Sequence, residues 1–156
     1  MLKYVDTLVS FAEIPNEITL AINISNCPCH CEGCHSSYLA EDIGEPLDLQ
    51  HLTTLIDNNK GISCVCIMGG DINPSEVDDI AQDIKEYYPE LKVGWYSGRD
   101  YISEDIDLKN FNFIKYGHYD KNKGPLNSKT TNQIMLEIEV VSDKIFKKDI
   151  TSRFWK

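Results

Sequence analysis

The sequence predicts an α/β protein in which mostly parallel strands form a partial (incomplete) TIM-like barrel. Strand-like and helix-like segments alternate along the chain, a pattern typical of parallel sheets with helical crossovers. The chain has 156 residues, whereas a complete eight-stranded barrel needs about 250. Unusual loops at 25–35, 69–73, 97–100 and 117–120 each follow the carboxyl end of a predicted strand. Parallel α/β folds bind their ligands on that side.

The strands are predicted from short apolar runs that end at turn residues. The second run, EITLAINI, leads directly into a loop rich in cysteine, and ISCVCIM ends at a pair of glycines. The last run alternates apolar and polar residues, and we take it as the final strand. The predicted strands cover residues 4–11, 17–24, 62–68, 91–96, 111–116 and 133–141.

Two longer helices and one short helix are predicted between these strands. The first begins after Pro46 and Asp48 and runs from Leu49 to about residue 58. The second begins at Asn73 and Pro74, and its inner face is predicted from helical spacing to comprise Val77, Ile80, Ala81 and Ile84. In the first helix, the apolar positions at that spacing are Leu49, Leu52, Leu55 and Ile56. A short helix is expected at 105–109.

Composition limits the classes of partner. Fifteen basic and 25 acidic side chains give a net charge of −10, which argues against nucleic acid as the main partner because phosphate binding needs a positive surface. The sequence has no apolar run long enough to span a membrane, and residues 1–6 lack the layout of a signal peptide. We therefore expect a single cytoplasmic domain covering residues 1–156, with no membrane partner.

Four cysteines lie within eight residues, which in a cytoplasmic protein points to metal or redox chemistry. Cys27, Cys31 and Cys34 have the spacing C-x3-C-x2-C. Three thiolates bind three irons of a cubane 4Fe-4S cluster and leave the fourth iron without a protein ligand, open to a substrate. A fourth cysteine ligand would close the cluster and favour simple electron transfer. The spacing therefore predicts a 4Fe-4S cluster with one open iron.

The remaining cysteines allow other interpretations. With Cys29 and either His30 or His35, the loop could form a tetrahedral zinc site, although structural zinc sites usually take ligands from separate segments. We interpret Cys29 as a non-ligand that faces solvent or packs locally. Cys64 and Cys66 are two apart on a predicted strand and share a face, and we interpret them as small buried side chains.

Two motifs together resemble radical S-adenosylmethionine enzymes: the C-x3-C-x2-C loop after one strand, and Gly69-Gly70-Asp71 at the end of the next. The match extends to the activating proteins of anaerobic (class III) ribonucleoside-triphosphate reductase. These share Gly33-Cys34-His35 and a segment like 124–133, GPLNSKTTNQ. The resemblance covers about residues 17–135.

The chain departs from the family pattern at two positions. Asn26 stands where the family commonly has glycine, but asparagine tolerates left-handed backbone better than most residues. Asp71 replaces the more usual glutamate after the glycine pair, and the shorter acid would work through backbone groups.

The resemblance implies that the cofactor is S-adenosylmethionine. The Gly69-Gly70 turn would bind the amino group of its methionine moiety, with Asp71 as a further acceptor. Lys115 would pair with the methionine carboxylate, and the alternative is a lysine that faces solvent. Ser97 would donate a hydrogen bond to the cofactor, or it is simply part of a turn. The full implied set of cofactor-binding residues is His35, Gly69, Gly70, Asp71, Ser97 and Lys115.

The implied activity is reductive cleavage of S-adenosylmethionine to generate a glycyl radical on anaerobic ribonucleoside-triphosphate reductase. An electron donor such as flavodoxin or ferredoxin would be a second partner, and residues 118–132 would help to form the surface on which the reductase docks. Three alternatives stay open: an activator of the pyruvate formate-lyase type, a small-molecule radical S-adenosylmethionine enzyme, or a non-catalytic zinc or iron–sulfur module.

Overall fold

The computed structural model describes residues 1–29 and 37–155. Within these ranges it contains eight strands and two α-helices, and single 3-10 turns lie at 37–40, 108–110 and 151–154. The elements are β1 Lys3–Ser10, β2 Thr19–Ile24, β3 Glu45–Pro46, α1 Leu49–Asp57, β4 Cys64–Met68, α2 Pro74–Tyr87, β5 Lys92–Tyr96, β6 Phe113–Tyr116, β7 Ile134–Val141 and β8 Lys144–Asp149.

All eight strands form one open sheet in the order β3-β1-β2-β4-β5-β6-β7-β8. The central strands β2, β4, β5 and β6 are parallel to one another, while β1, β3, β7 and β8 are added antiparallel at the two sides. The α/β class predicted from the sequence is therefore confirmed, but the prediction of mostly parallel strands is wrong, since three strand pairs are parallel and four are antiparallel among the described residues. Each parallel pair is joined by a connection long enough to cross the sheet, whereas shorter turns join β1 to β2 and β7 to β8.

Both helices begin where the sequence places them, because each has a side-chain cap. The Asp48 carboxylate accepts a hydrogen bond of 2.8 Å from the backbone N–H of His51, and the Asn73 side chain accepts one of 3.3 Å from that of Glu76. All four residues predicted for the inner face of α2 are buried. In α1, Leu52 and Ile56 are buried, whereas Leu49, which has the same helical spacing, is 41% exposed.

The two faces of the sheet bury separate apolar clusters. The helices cover one face, where the larger cluster includes Ile22, Ile67 and Trp95. On the opposite face the smaller cluster contains Cys64 and Cys66. Both cysteines are fully buried, which confirms their interpretation as small core side chains. Burial raises the pKa of Cys64 to about 12, so its thiol stays protonated at neutral pH.

The prediction that 133–141 is the last strand is wrong, because β8 follows it. Ser142 and Asp143 join the two strands with φ values of 50° and 64°. Such a left-handed pair forms a tight hairpin turn whose twist matches that of the strands. Every residue of β8 is exposed, so the strand lacks the apolar alternation from which strands are predicted. The short helix expected at 105–109 is instead the 3-10 turn Leu108–Asn110.

None of the helices among the described residues is both long enough and apolar enough to cross a bilayer.

Candidate functional site

A cavity of ≈ 190 Å³ lies at the carboxyl ends of β2, β4, β5 and β6. The loops that follow these strands converge there, as expected for a parallel α/β arrangement. Among the residues that line it are five of the predicted site residues: Cys27, Gly69, Asp71, Ser97 and Lys115. Gly70 follows Gly69 in the same turn. The predicted residues Cys31, Cys34 and His35, together with His30, lie outside the described residues.

The start of the cysteine loop is held by backbone hydrogen bonds to the segment at 39–41. The N–H of Asn26 donates to the carbonyl of Glu41 at 2.9 Å, and that of Cys27 donates to the carbonyl of Leu39 at 2.8 Å. Asn26 has φ = 60°, in the left-handed region that asparagine tolerates better than most residues. This turn brings Cys27 from the end of β2 to the cavity wall.

Because Asn26 occupies the left-handed region, we expect Asn26→Val to lower the free energy of unfolding by about 1–2 kcal/mol. Asn26→Gly is the matched control and should change it by less than about 1 kcal/mol, since glycine adopts positive φ freely. Urea denaturation of the cluster-free protein measures both values. Equal stability of the two variants would contradict a left-handed backbone at residue 26.

Cys29 packs locally, in agreement with one of the two placements expected for it. Its Sγ lies 3.7 Å from Oδ2 of Asp71, and a Cβ added at Gly98 would lie 2.9 Å from that sulfur. A hydrogen bond with Cys27, burial and the nearby Asp71 carboxylate raise the pKa of the Cys29 thiol well above its ordinary value. Cys29 therefore lies in the same cavity wall as Cys27.

The glycine turn after β4 requires two residues without side chains. Gly69 and Gly70 have φ values of 114° and 95°, and a Cβ at Gly70 would lie 2.5 Å from a methyl group of Val77 in α2. The indole N–H of Trp95 donates a hydrogen bond of 2.7 Å to the Gly69 carbonyl. The hydrogen bond from Trp95 and the close packing against α2 thus hold the turn in place, and Gly69 lines the cavity.

Asp71 and Ser97, both predicted as cofactor-binding residues, contact each other. The Ser97 hydroxyl donates to Oδ1 of Asp71 at 2.5 Å, and the N–H of Gly98 donates to Oδ2 at 2.8 Å. Asp71 is 6% exposed and Ser97 is 2% exposed. The carboxylate therefore joins the turn after β4 to the turn after β5.

Lys115 lies on the cavity side of β6 rather than facing open solvent. It is half-buried, and its Nζ lies 4.6 Å from the centroid of the Tyr96 ring, within the range of a cation–π contact. Lys115 and Tyr96 also line an adjoining cavity of ≈ 490 Å³. A cationic side chain thus stands where the two cavities meet.

The sequence reasoning missed several residues of the cavity wall. Asn23 and Tyr119 line it; the only signal for Asn23 was a polar residue within an otherwise apolar strand. His118 follows β6, but it pairs with Asp100 through Nδ1 at 2.7 Å and is not among the described residues that line this cavity. His51 lies at the start of α1, where it pairs with Asp48.

The predicted metal ligands are cysteine thiolates, which suit iron. The described residues contain no group of three metal-ligating side chains, and the predicted ligands Cys31 and Cys34 lie outside them. Thiolate is the ligand that iron–sulfur clusters take from proteins, and Cys27 stands in the wall of a cavity that the glycine turn leaves open. The residues present therefore fit a cluster held by the cysteine loop.

Comparison with known proteins also points to an iron–sulfur cluster. The family model described as "4Fe-4S single cluster domain" matches residues 18–149, which include the whole cysteine loop and every other predicted site residue. No curated protein and no solved structure matches the chain. The family match supports binding of a 4Fe-4S cluster. On the evidence of both the cysteine loop and the extent of the match, the chain belongs to the family of 4Fe-4S single cluster domains.

Proposed function

We propose that this protein activates an anaerobic ribonucleoside-triphosphate reductase by cleaving S-adenosylmethionine reductively and generating a glycyl radical on the reductase. The observation that carries the proposal is the meeting of Cys27, the Gly69 turn and Lys115 in one cavity. Thiolates hold a cluster, while the backbone of a glycine turn and a cation can bind the amino and carboxylate groups of an amino acid moiety beside it. In this proposal the chain is a single radical S-adenosylmethionine domain, and its open sheet is a partial barrel.

The cluster would be held by Cys27, Cys31 and Cys34. When bound, a 4Fe-4S cluster with three thiolate ligands supplies an open iron and a single electron at low potential. Overall, one electron from a donor such as flavodoxin or ferredoxin cleaves the C5′–S bond. The products are methionine and 5′-deoxyadenosine, and the hydrogen that 5′-deoxyadenosine gains comes from a glycine of the reductase.

The chain's own residues would bind and orient the cofactor. The backbone of the Gly69-Gly70 turn would bind the methionine amino group, and the positive φ values of both residues are ones that glycine adopts freely. The Lys115 ammonium, at 4.6 Å from the Tyr96 ring, would pair with the methionine carboxylate across the half-buried wall, where water screens charge less than at the surface. His35 is proposed to line the site from the cysteine loop.

The adjoining cavity supports a polypeptide substrate. Its volume is ≈ 490 Å³, and Pro125, Leu126 and Asn127 line it together with Arg153 and Trp155. Those first three residues belong to the loop at 118–132 that the sequence suggests for docking. A reductase segment bound there would lie next to Lys115 and therefore next to the cofactor.

Anaerobic reconstitution followed by incubation with S-adenosylmethionine, dithionite and the reductase tests the proposal. We expect 5′-deoxyadenosine by chromatography and a glycyl-radical doublet by electron paramagnetic resonance. Protein that has not been reconstituted is the control and should give neither signal. Cofactor cleavage without a doublet would reject the reductase as the target. Stoichiometric zinc and no cleavage would reject the enzyme altogether.

A further inference from the structure

We infer that Asp71 is a positioning residue that joins three loops of the site, rather than a group that contacts the cofactor. The inference deepens the proposed function and rests on it where cofactor binding is concerned. Asp71 follows the glycine turn directly, so a carboxylate that points into the cavity would be a natural partner for a cofactor amino group. The contacts of its two oxygens indicate a different role.

Both oxygens of the carboxylate are used within the protein. Oδ1 accepts from the Ser97 hydroxyl at 2.5 Å, and Oδ2 accepts from the Gly98 N–H at 2.8 Å. Hydrogen bonds to an ionised acceptor are among the stronger ones in proteins. Ser97 is itself fixed, because its N–H donates to the Lys115 carbonyl at 2.7 Å and its Oγ accepts from the Arg99 N–H at 3.1 Å.

The third contact reaches the cysteine loop. The Cys29 thiol lies 3.7 Å from Oδ2 of Asp71, on the same oxygen that accepts from Gly98. Gly98 is required here, since a Cβ at this position would lie 2.9 Å from the Cys29 sulfur. One carboxylate thus connects the turn after β4, the turn after β5 and the cysteine loop.

Burial of the Asp71 carboxylate makes its hydrogen bonds within the protein necessary. Asp71 is 6% exposed, and among the described residues no cation forms an ion pair with it. A buried carboxylate depends on hydrogen-bond donors for its solvation. Withdrawing it toward a ligand would leave the Ser97 hydroxyl and the Gly98 N–H without their acceptor. The geometry therefore favours a fixed connector that sets the distance between the glycine turn and the cysteine loop.

A double-mutant cycle between Asp71 and Ser97 tests the connection in cluster-free protein. We expect Asp71→Ala and Ser97→Ala each to lower Tm by roughly 4–8 °C. In the Asp71→Ala background, Ser97→Ala should lower it by less than about 2 °C further, since the shared bond is already lost. Asp105→Ala, which removes an exposed loop carboxylate, is the matched control and should leave Tm unchanged. Additive losses, or no loss at all, would overturn the inference.

Cofactor binding by the reconstituted enzyme separates positioning from direct contact. Asp71→Ala and Ser97→Ala should raise KM for S-adenosylmethionine by a similar factor, on the order of 10, without adding in the double variant. Asp71→Asn keeps one acceptor oxygen and should raise KM by less than about 3-fold. Ile56→Val, a core change in α1, should lower Tm and leave KM unchanged.

The two hypotheses fail in different ways. A rise in KM of about 100-fold or more in Asp71→Asn, with Tm unchanged, would identify the carboxylate as a cofactor contact and overturn the positioning role. Failure of the wild-type protein to cleave S-adenosylmethionine would reject the proposed function, while the Tm cycle would still decide whether Asp71 joins the loops.

Discussion

Replacing Cys27, Cys31 or Cys34 by alanine is expected to abolish cluster binding, whereas Cys29→Ala should retain it. Three thiolates are the minimum set that holds a cubane cluster with one open iron, so the loss of any one removes an iron ligand that nothing else in the loop is spaced to replace. Cys29 is instead packed against Gly98 and Asp71. Its removal should cost packing but no iron ligand.

Iron and sulfide analysis after anaerobic reconstitution measures the effect. We expect roughly four irons per chain in the wild type and in Cys29→Ala, and close to none in the three ligand variants. Cys64→Ala is the control, because Cys64 is fully buried in the sheet core and should affect stability without removing iron. Loss of iron in both Cys29→Ala and Cys31→Ala would mean that the ligand set is wrong.

Trp95→Phe is expected to lower the free energy of unfolding by about 2 kcal/mol and to weaken cofactor binding. The indole N–H donates to the Gly69 carbonyl at 2.7 Å, and the ring, 1% exposed, packs against Phe111 with ring centroids 6.1 Å apart. Phenylalanine leaves that carbonyl without its donor, which costs about 1–3 kcal/mol, and fills less of the core. The Gly69-Gly70 turn then loses the hydrogen bond that fixes it against the core.

Chemical denaturation measures the loss of stability, and Trp155→Phe provides the matched control. Trp155 is 42% exposed, and the chain has only these two tryptophans. Each variant therefore leaves a single fluorescent reporter. We expect Trp155→Phe to change the unfolding free energy by less than about 0.5 kcal/mol, as is usual for surface changes. Equal stability of Trp95→Phe and wild type would show that the indole hydrogen bond does not hold the turn.

Local signals predicted most of the fold. The capping residues Asp48 and Asn73 mark the starts of both helices, because a helix start is determined by groups within three residues of it. The buried central strands follow from short apolar runs. Asn26 has a φ of 60°, a backbone conformation that asparagine tolerates better than most residues.

Contacts between distant residues were not predictable in this way. Asp71 and Ser97 are 26 positions apart, and nothing in either local sequence shows that they would bond to each other rather than to a ligand. In β7, the predicted alternation matches burial along only part of the strand: Ile138 is buried, while Val140, two residues further on the same face, is 42% exposed. The strand extends beyond the core into the exposed hairpin, where the alternation of apolar and polar residues no longer indicates which side chains are buried.

The two outer strands of the sheet have a consequence for behaviour at high concentration. The edge strands of an open sheet carry unpaired backbone N–H and C=O groups, with which a strand of another molecule can pair. One edge here is β3, only two residues long and ending in Pro46, which cannot donate a backbone hydrogen bond. The other is β8, which carries Lys144, Lys147 and Lys148. The lysines of β8 disfavour edge-to-edge association on that side. On the other side, β3 pairs only with Lys3 and Tyr4 of β1 among the described residues, so the protection that a short edge strand gives is confined to the start of β1.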